Sequence, residues 1–248
     1  MEDRLRLFRK KRKRDPEEKY RLALAAGEPI FYRGIRVPVS ADVMPIPVLV
    51  ALDLDSYEEP ELEAASALMQ PGDRMLELGT GLGIVSSVLG KQFPDCQIVS
   101  YEANPVLIPH IHALHQANGI TNVAVHNRLL EPNPQVESRP FHIHSYFTEG
   151  SIKQTAQSLK AIEVPVEDLN TVIKKFDPTI VMCDVEGAEE LVIPQADLEN
   201  VRALVLEFHP KLLSRTAVKS IFDSCAKHGL YPCIEHSSQQ VIAFERVE

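Results

Sequence analysis

Apolar positions along the chain alternate between short strand-like runs and helical spacing. Arg74 to Leu78 is a short Met-Leu-Glu-Leu strand that runs into a glycine-rich turn, and Ile84, Val85, Val88 and Leu89 then recur at helical spacing until Phe93-Pro94. Strand, turn and helix are the first half of a βαβ unit. The pattern continues with a strand at Gln97 to Tyr101, a helix from about Pro105 to Asn118 and a strand at Val123 to His126. Further on it gives a helix at about Val166 to Lys175, a strand at Thr179 to Cys183, a helix near Ala188 to Ile193, a strand at Ala203 to Glu207 and a helix at Thr216 to His228. Such repetition predicts an α/β fold with a parallel sheet covered on both faces. Tyr231 to Glu235 and Gln240 to Glu245, split by His236-Ser237-Ser238, read as a closing hairpin.

Before this frame, Glu58 to Met69 carries apolar residues among carboxylates and reads as an amphipathic helix ended by Pro71-Gly72-Asp73. Met44 to Leu54 is too short to span a bilayer, and Pro45 and Pro47 interrupt it, so it reads as an entry segment or strand. Residues 1–45 read as an extension that wraps the domain or remains mobile, which leaves 46–248 as the main domain. Leu130 to Val164 holds several prolines and the polar string His144 to Ser151; it reads as a long irregular segment on the substrate side.

Composition is that of a soluble globular protein, 44% hydrophobic and 25% charged. The net charge of -9 argues against a protein that coats nucleic acid, because phosphate neutralisation needs a cationic face. Arg4 to Arg14, RLRLFRKKRKR, dissents. It reads as a solvated, partly helical tail, or as a contact for RNA, an anionic membrane surface or nuclear targeting. No long apolar stretch follows it, so it is not a secretory signal and a cytoplasmic protein is expected. Cys96, Cys183, Cys225 and Cys233 lack paired spacing and read as reduced thiols. The histidine groups at 110–115 and 142–144 bring no obvious carboxylate or thiolate, so no metal site is expected.

The strongest chemical signal is Glu77-Leu78-Gly79-Thr80-Gly81-Leu82-Gly83 at the strand-to-helix junction. Glycines there let the backbone turn tightly and a ligand approach main-chain N–H groups at a helix N-terminus. The spacing is G-x-G-x-G, and Ile84 stands where a dinucleotide fingerprint wants its last glycine. Glu77 would repel a pyrophosphate but tolerate a cationic sulfonium bearing an ammonium group. Glu102 ends the next strand, at the distance downstream where an acid accepts hydrogen bonds from ribose hydroxyls.

Four runs together resemble the FkbM-type methyltransferases over about Tyr57 to His209: the glycine turn, Tyr101-Glu102-Ala103-Asn104-Pro105, Asp184-Val185-Glu186-Gly187-Ala188-Glu189 and Glu207-Phe208-His209. In that family the third run is commonly preceded by Lys-Ile, which Met182-Cys183 replaces here, removing a positive charge. The resemblance implies a doubly wound, mostly parallel seven-stranded class I methyltransferase fold, S-adenosylmethionine as methyl donor, and an oxygen of a sugar or other small molecule as acceptor. It places Glu77, Gly79, Thr80, Gly81, Gly83, Glu102, Ala103 and Asn104 around the cofactor, with Tyr57-Glu58 near its methionine end.

Methyl transfer from a sulfonium chiefly requires nucleophile, methyl and sulfur held in line. A hydroxyl acceptor must also lose a proton, and the candidates to take it are Asp184 and Glu186 after one strand and Glu207 and His209 after the next. Each has a structural alternative: Asp184 as a helix cap, Glu186 in a first helical turn, His209 packed before Pro210. Two other functions stay open, RNA methylation through the basic tail and a non-catalytic binding module of the same fold. The intact Glu77, glycines and Glu102 speak against the second.

Overall fold

The computed structural model describes residues 17–144, 150 and 158–247; the basic block Arg4 to Arg14 and most of the polar string after His144 lie outside the described residues. The chain begins with α1 (Glu18–Ala26), the hairpin β1 (Ile30–Tyr32) and β2 (Ile35–Val37), then α2 (Ile46–Asp53) and α3 (Glu59–Leu68). Tyr32, Ile35 and Val37 are buried in the same apolar cluster as Leu49 and Leu52 of α2 and Leu62 of α3, so this hairpin shares one core with both helices. Met44 to Leu54, expected as an entry segment or strand, is mostly the helix α2. Proline in the first turn removes an N–H that has no intrahelical partner anyway, so Pro47 starts this helix and does not break it.

The αβ alternation then runs through β3 (Arg74–Leu78), α4 (Ile84–Gln92), β4 (Gln97–Tyr101), α5 (Ile108–Asn118) and β5 (Val123–His126). After an insertion come α6 (Leu169–Phe176), β9 (Ile180–Cys183), α7 (Glu189–Val192), β10 (Ala203–Glu207), α8 (Arg215–Lys227), β11 (Leu230–Ser238) and β12 (Val241–Arg246). Seven strands form one sheet in the order β11-β12-β10-β9-β3-β4-β5. The five from β10 to β5 are parallel neighbours, and β12 lies antiparallel to both β10 and β11. This is the doubly wound α/β fold, with the closing hairpin at one edge.

Period-two alternation sends successive side chains to opposite faces. Met75, Ile98, Ile180, Met182 and Val205 pack with α3, α4 and α5. Leu76, Val181, Leu204 and Leu206 pack with α6, α7 and α8. Each such side chain contributes on the order of 1.5–3 kcal/mol by leaving water, which ties both helical layers to one sheet. By the same alternation Glu77 and Glu207 face the α3 layer.

The stretch expected to be irregular, Leu130 to Val164, is ordered where described. β6 (Leu129–Glu131), β7 (Ser138–His144) and β8 (Ser158–Asp168) form a second sheet, with β8 central, parallel to β6 and antiparallel to β7. Because β8 runs to Asp168, α6 starts later than the expected Val166, where the Asp168 carboxylate accepts the Thr171 N–H as an N-cap. The closing turn is also displaced: His236-Ser237-Ser238 belong to β11 beyond an irregularity, and the reversal falls at Gln239-Gln240.

Candidate active site

Chain order along the sheet reverses beside β3: β4 and β5 lie on one side of it, β9 and β10 on the other. Ligands of open α/β sheets bind at such a switch point, beyond the carboxyl ends of the strands. There the chain leaving β3 and the chain leaving β9 nearly touch. The Asp184 N–H donates to the Leu78 carbonyl at 2.9 Å, and a Cβ on Gly79 would stand 1.6 Å from the Asp184 carbonyl oxygen. Gly79 also has φ +85°, so this crossing demands glycine twice over. A cleft of roughly 860 Å³, counted to the open solvent, lies over the crossing and is lined by Gly79, Gly81, Glu102, Ala103, Asp184 and Glu186 among others. Leu129, Leu130 and Phe141 of the second sheet form its far wall.

On the β4 side, Glu102 is buried and turned onto the glycine loop. Its Oε2 accepts the Gly81 N–H at 2.8 Å and its Oε1 the Asn104 N–H at 2.6 Å. Burial raises its carboxyl to about 7, against the pull of those N–H groups. Two ionised oxygens offer about four acceptor sites, so two backbone bonds leave room for two hydroxyl donors, as a ribose requires. Asn127 supports the turn after β4, donating from Nδ2 to the Glu102 carbonyl at 2.8 Å and the Ala103 carbonyl at 3.0 Å.

Glu77, by contrast, is 1% exposed and does not line the cleft. Burial raises its carboxyl, and the hydroxyls of Ser100, Ser86 and Thr80 stand near enough to oppose that rise, although Oε2 has no aligned donor. Thr80, Gly83 and Asn104 likewise shape the loop from behind. The Thr80 hydroxyl donates to the Tyr101 carbonyl at 3.3 Å, and Asn104 Oδ1 accepts the Val106 N–H at 3.1 Å. Tyr57 is buried, its hydroxyl enclosed beside Glu58 and its carbonyl accepting from Tyr32.

The β9–β10 side is dense in carboxylates. Glu58 sits at the start of α3 with φ +45° and lines the cleft; burial, then the charges of Glu61, Glu77 and Glu207, push it up to about 8. Glu61, buried one turn later, is pushed up to about 7, first by burial. Asp184 is raised well above the carboxylate range by burial, then by Glu207, Glu186, Glu58 and Glu61. His209 stands among them: Nε2 lies 3.3 Å from Glu186, 3.7 Å from Asp184 and 3.8 Å from Glu207, and Nδ1 lies 2.7 Å from Glu189. Burial alone would lower its imidazole, but the hydrogen bond to Glu189 and the charges of Glu186, Glu189 and Glu207 carry it to about 8. Asp184, Glu207 and His209 each offer an atom within 4.8 Å of the others. That spacing is accounted for by a charged imidazole among carboxylates and carries no metal assignment.

All four candidate proton acceptors, Asp184, Glu186, Glu207 and His209, therefore meet on one side of the glycine loop, with Glu102 and Ala103 on the other. Sequence reasoning missed Glu61, Asn127 and Glu189. The last was legible as the end of the Asp184-to-Glu189 run, but nothing in the sequence says that it folds back onto residue 209.

Residues 80–226 match the methyltransferase FkbM domain. Similar solved structures include a precorrin-6y C5,15-methyltransferase from Geobacter metallireducens, 14% identical with a TM-score of 0.46 over 77% of this chain and 89% of that one. A ribosomal protein L11 methylase from Lactobacillus delbrueckii subsp. bulgaricus is 11% identical, TM-score 0.46, over 78% and 80%. A magnesium protoporphyrin IX methyltransferase from Synechocystis, with S-adenosylmethionine bound, is 14% identical, TM-score 0.42, over 76% of both chains. No curated protein matches the chain. The domain match takes in more than half of the 248 residues, from the glycine loop through the carboxylate cluster into α8, and the chain belongs to the FkbM family of S-adenosylmethionine-dependent methyltransferases.

Proposed function

We propose that this protein transfers a methyl group from S-adenosylmethionine to an oxygen of a small-molecule or glycan acceptor, with Asp184 taking the acceptor's proton. The observation that carries the reading is the division of one cleft: Glu102 at the end of β4 and Asp184 at the end of β9 line it from opposite sides of Gly79 and Gly81.

The donor, when bound, supplies an already activated methyl group on a sulfonium. The chain's own contribution is to hold the reactants. Glu102 keeps two acceptor sites for ribose hydroxyls while its backbone bonds fix the carboxylate. Gly79 and Gly81 let a ligand reach the loop backbone, and the raised carboxyls of Glu58 and Asp184 line the cleft where a bound cation would draw them toward the ionised form. On the other side, the hydroxyl proton of the acceptor passes to Asp184 as the C–O bond forms, while the C–S bond breaks and sulfur keeps its electron pair. A base so placed is worth roughly a hundredfold or more. The second sheet lines the far side of the cleft with the apolar side chains of Leu129, Leu130 and Phe141.

Calorimetric titration with S-adenosylmethionine, followed by incubation with a cell extract and labelled donor, tests both halves. Saturable binding and one labelled metabolite or glycan with an O-methyl group are expected. A folded protein that binds no donor would return the chain to the class of binding modules, and label on a nitrogen or in RNA would overturn the acceptor class.

A further inference from the structure

We propose that Glu189 is a positioning residue: it fixes His209 as an imidazolium behind the cleft, and that positive charge favours the ionised form of Asp184 that receives the acceptor's proton. The inference rests on the reading of Asp184 as the acceptor-side base.

Geometry carries the argument. The Glu189 side chain has no exposure at all. Its Oε1 accepts the Gly187 N–H at 3.0 Å and faces His209 Nδ1 at 2.7 Å, while Oε2 is enclosed without a hydrogen-bond partner. A carboxylate can only accept, so Nδ1 must be the donor, and this fixes which edge of the ring points forward. The forward atom, Nε2, then faces Glu186, Asp184 and Glu207 within 4 Å. A neutral ring would aim a lone pair at three carboxylates; a protonated ring aims an N–H donor at them. In the charged form both ring nitrogens have a carboxylate to donate toward, Glu189 at 2.7 Å and Glu186 at 3.3 Å. The charged groups around the ring come from every neighbouring element: Glu61 of α3, Asp184 and Glu186 after β9, Glu189 of α7 and Glu207 of β10. Crowded carboxylates cannot all ionise without a counter-charge, and a buried Glu189 left without His209 would itself be an uncompensated charge. Glu189 and His209 thus hold each other charged, and Asp184, whose Oδ1 is enclosed with no hydrogen bond, takes the benefit.

The test is imidazole NMR on the full chain carrying labelled histidine, with His209→Asn to assign the signal. Wild-type His209 should titrate near 8, and in Glu189→Gln the midpoint should fall by about one unit or more. Labelled methyl transfer to the acceptor fraction of an extract should fall by about tenfold in Glu189→Gln at neutral pH, while S-adenosylmethionine affinity stays within about threefold. Glu189→Asp, which keeps the charge, should restore part of the rate and guards against a Gln variant that fails to fold. Above about pH 8, where the imidazolium is lost in wild type as well, the rate difference between wild type and Glu189→Gln should shrink. A His209 midpoint that ignores Glu189→Gln overturns the proposal. So does a rate deficit of Glu189→Gln that persists undiminished above pH 8, or activation by added Mn²⁺ that abolishes the His209 titration. If no methyl transfer occurs at all, the reading of function fails, and the His209 midpoint still decides the dyad.

Discussion

Replacing Glu102 with Ala tests the cofactor half of the cleft at its most constrained point. The carboxylate satisfies two backbone donors, Gly81 N–H and Asn104 N–H. Gly81 lines the cleft, so water can replace that bond; Asn104 is fully buried, so water does not readily replace the acceptor its N–H loses. One stranded buried donor costs about 1–3 kcal/mol of stability. The ribose hydroxyls lose their acceptor at the same time, which weakens donor binding by another 1–3 kcal/mol or so, roughly fivefold to 150-fold in Kd. Calorimetry with S-adenosylmethionine at fixed ionic strength reads the second quantity and thermal unfolding without ligand reads the first. Glu102→Gln, which keeps one acceptor oxygen, should fall between. A folded Glu102→Ala protein whose affinity lies within about twofold of wild type would remove Glu102 from the binding site.

Asp184→Asn, nearly isosteric, should lower methyl transfer by roughly a hundredfold or more and leave donor affinity almost unchanged; full activity would eliminate Asp184 as the base. Gly79→Ala should destabilise by about 4 kcal/mol or more, since its Cβ would collide with the Asp184 carbonyl, whereas Gly119→Ala, with open space around it, should cost only about 1 kcal/mol; equal melting temperatures for the two would refute the crossing at the switch point. Stability should fall between about pH 6.5 and 8.5. Above pH 6.5 folded Glu61 and Glu102 (until about 7) and Glu58 and His209 (until about 8) keep protons that the unfolded chain has lost or is losing, while His110 and His115, depressed by burial to about 4, are neutral in the folded state. A melting temperature that climbs across the window contradicts this. Deleting residues 1–14 should weaken and flatten the salt dependence of any RNA binding if the basic block contacts RNA; unchanged binding rejects that role.

The central sheet was largely legible because its strands carry their own signals. The apolar run and its bounding turn fix Arg74–Leu78, Gln97–Tyr101 and Ala203–Glu207 to the residue, and parallel strands buried on both faces leave little freedom of register. The glycine turn and Glu102 were legible for the same local reason. Where partners are distant, the sequence is silent. β8 pairs with β6 across more than thirty residues, and Pro165 within it looks like loop chemistry until the second sheet is assembled. α2 looked like a strand because its apolar run is short and all-round, and only burial beneath α1 and the hairpin makes it a helix.

The acid–imidazole cluster divides in the same way. Its members lie in recognisable runs, and the sequence determined that Asp184 follows one strand and Glu207 ends the next. The tertiary structure alone decided that α3 brings Glu58 and Glu61 over those strand ends and that Glu189 reaches back to His209. A side chain's charge state depends on every group that packs against it, and no local pattern encodes which groups those will be.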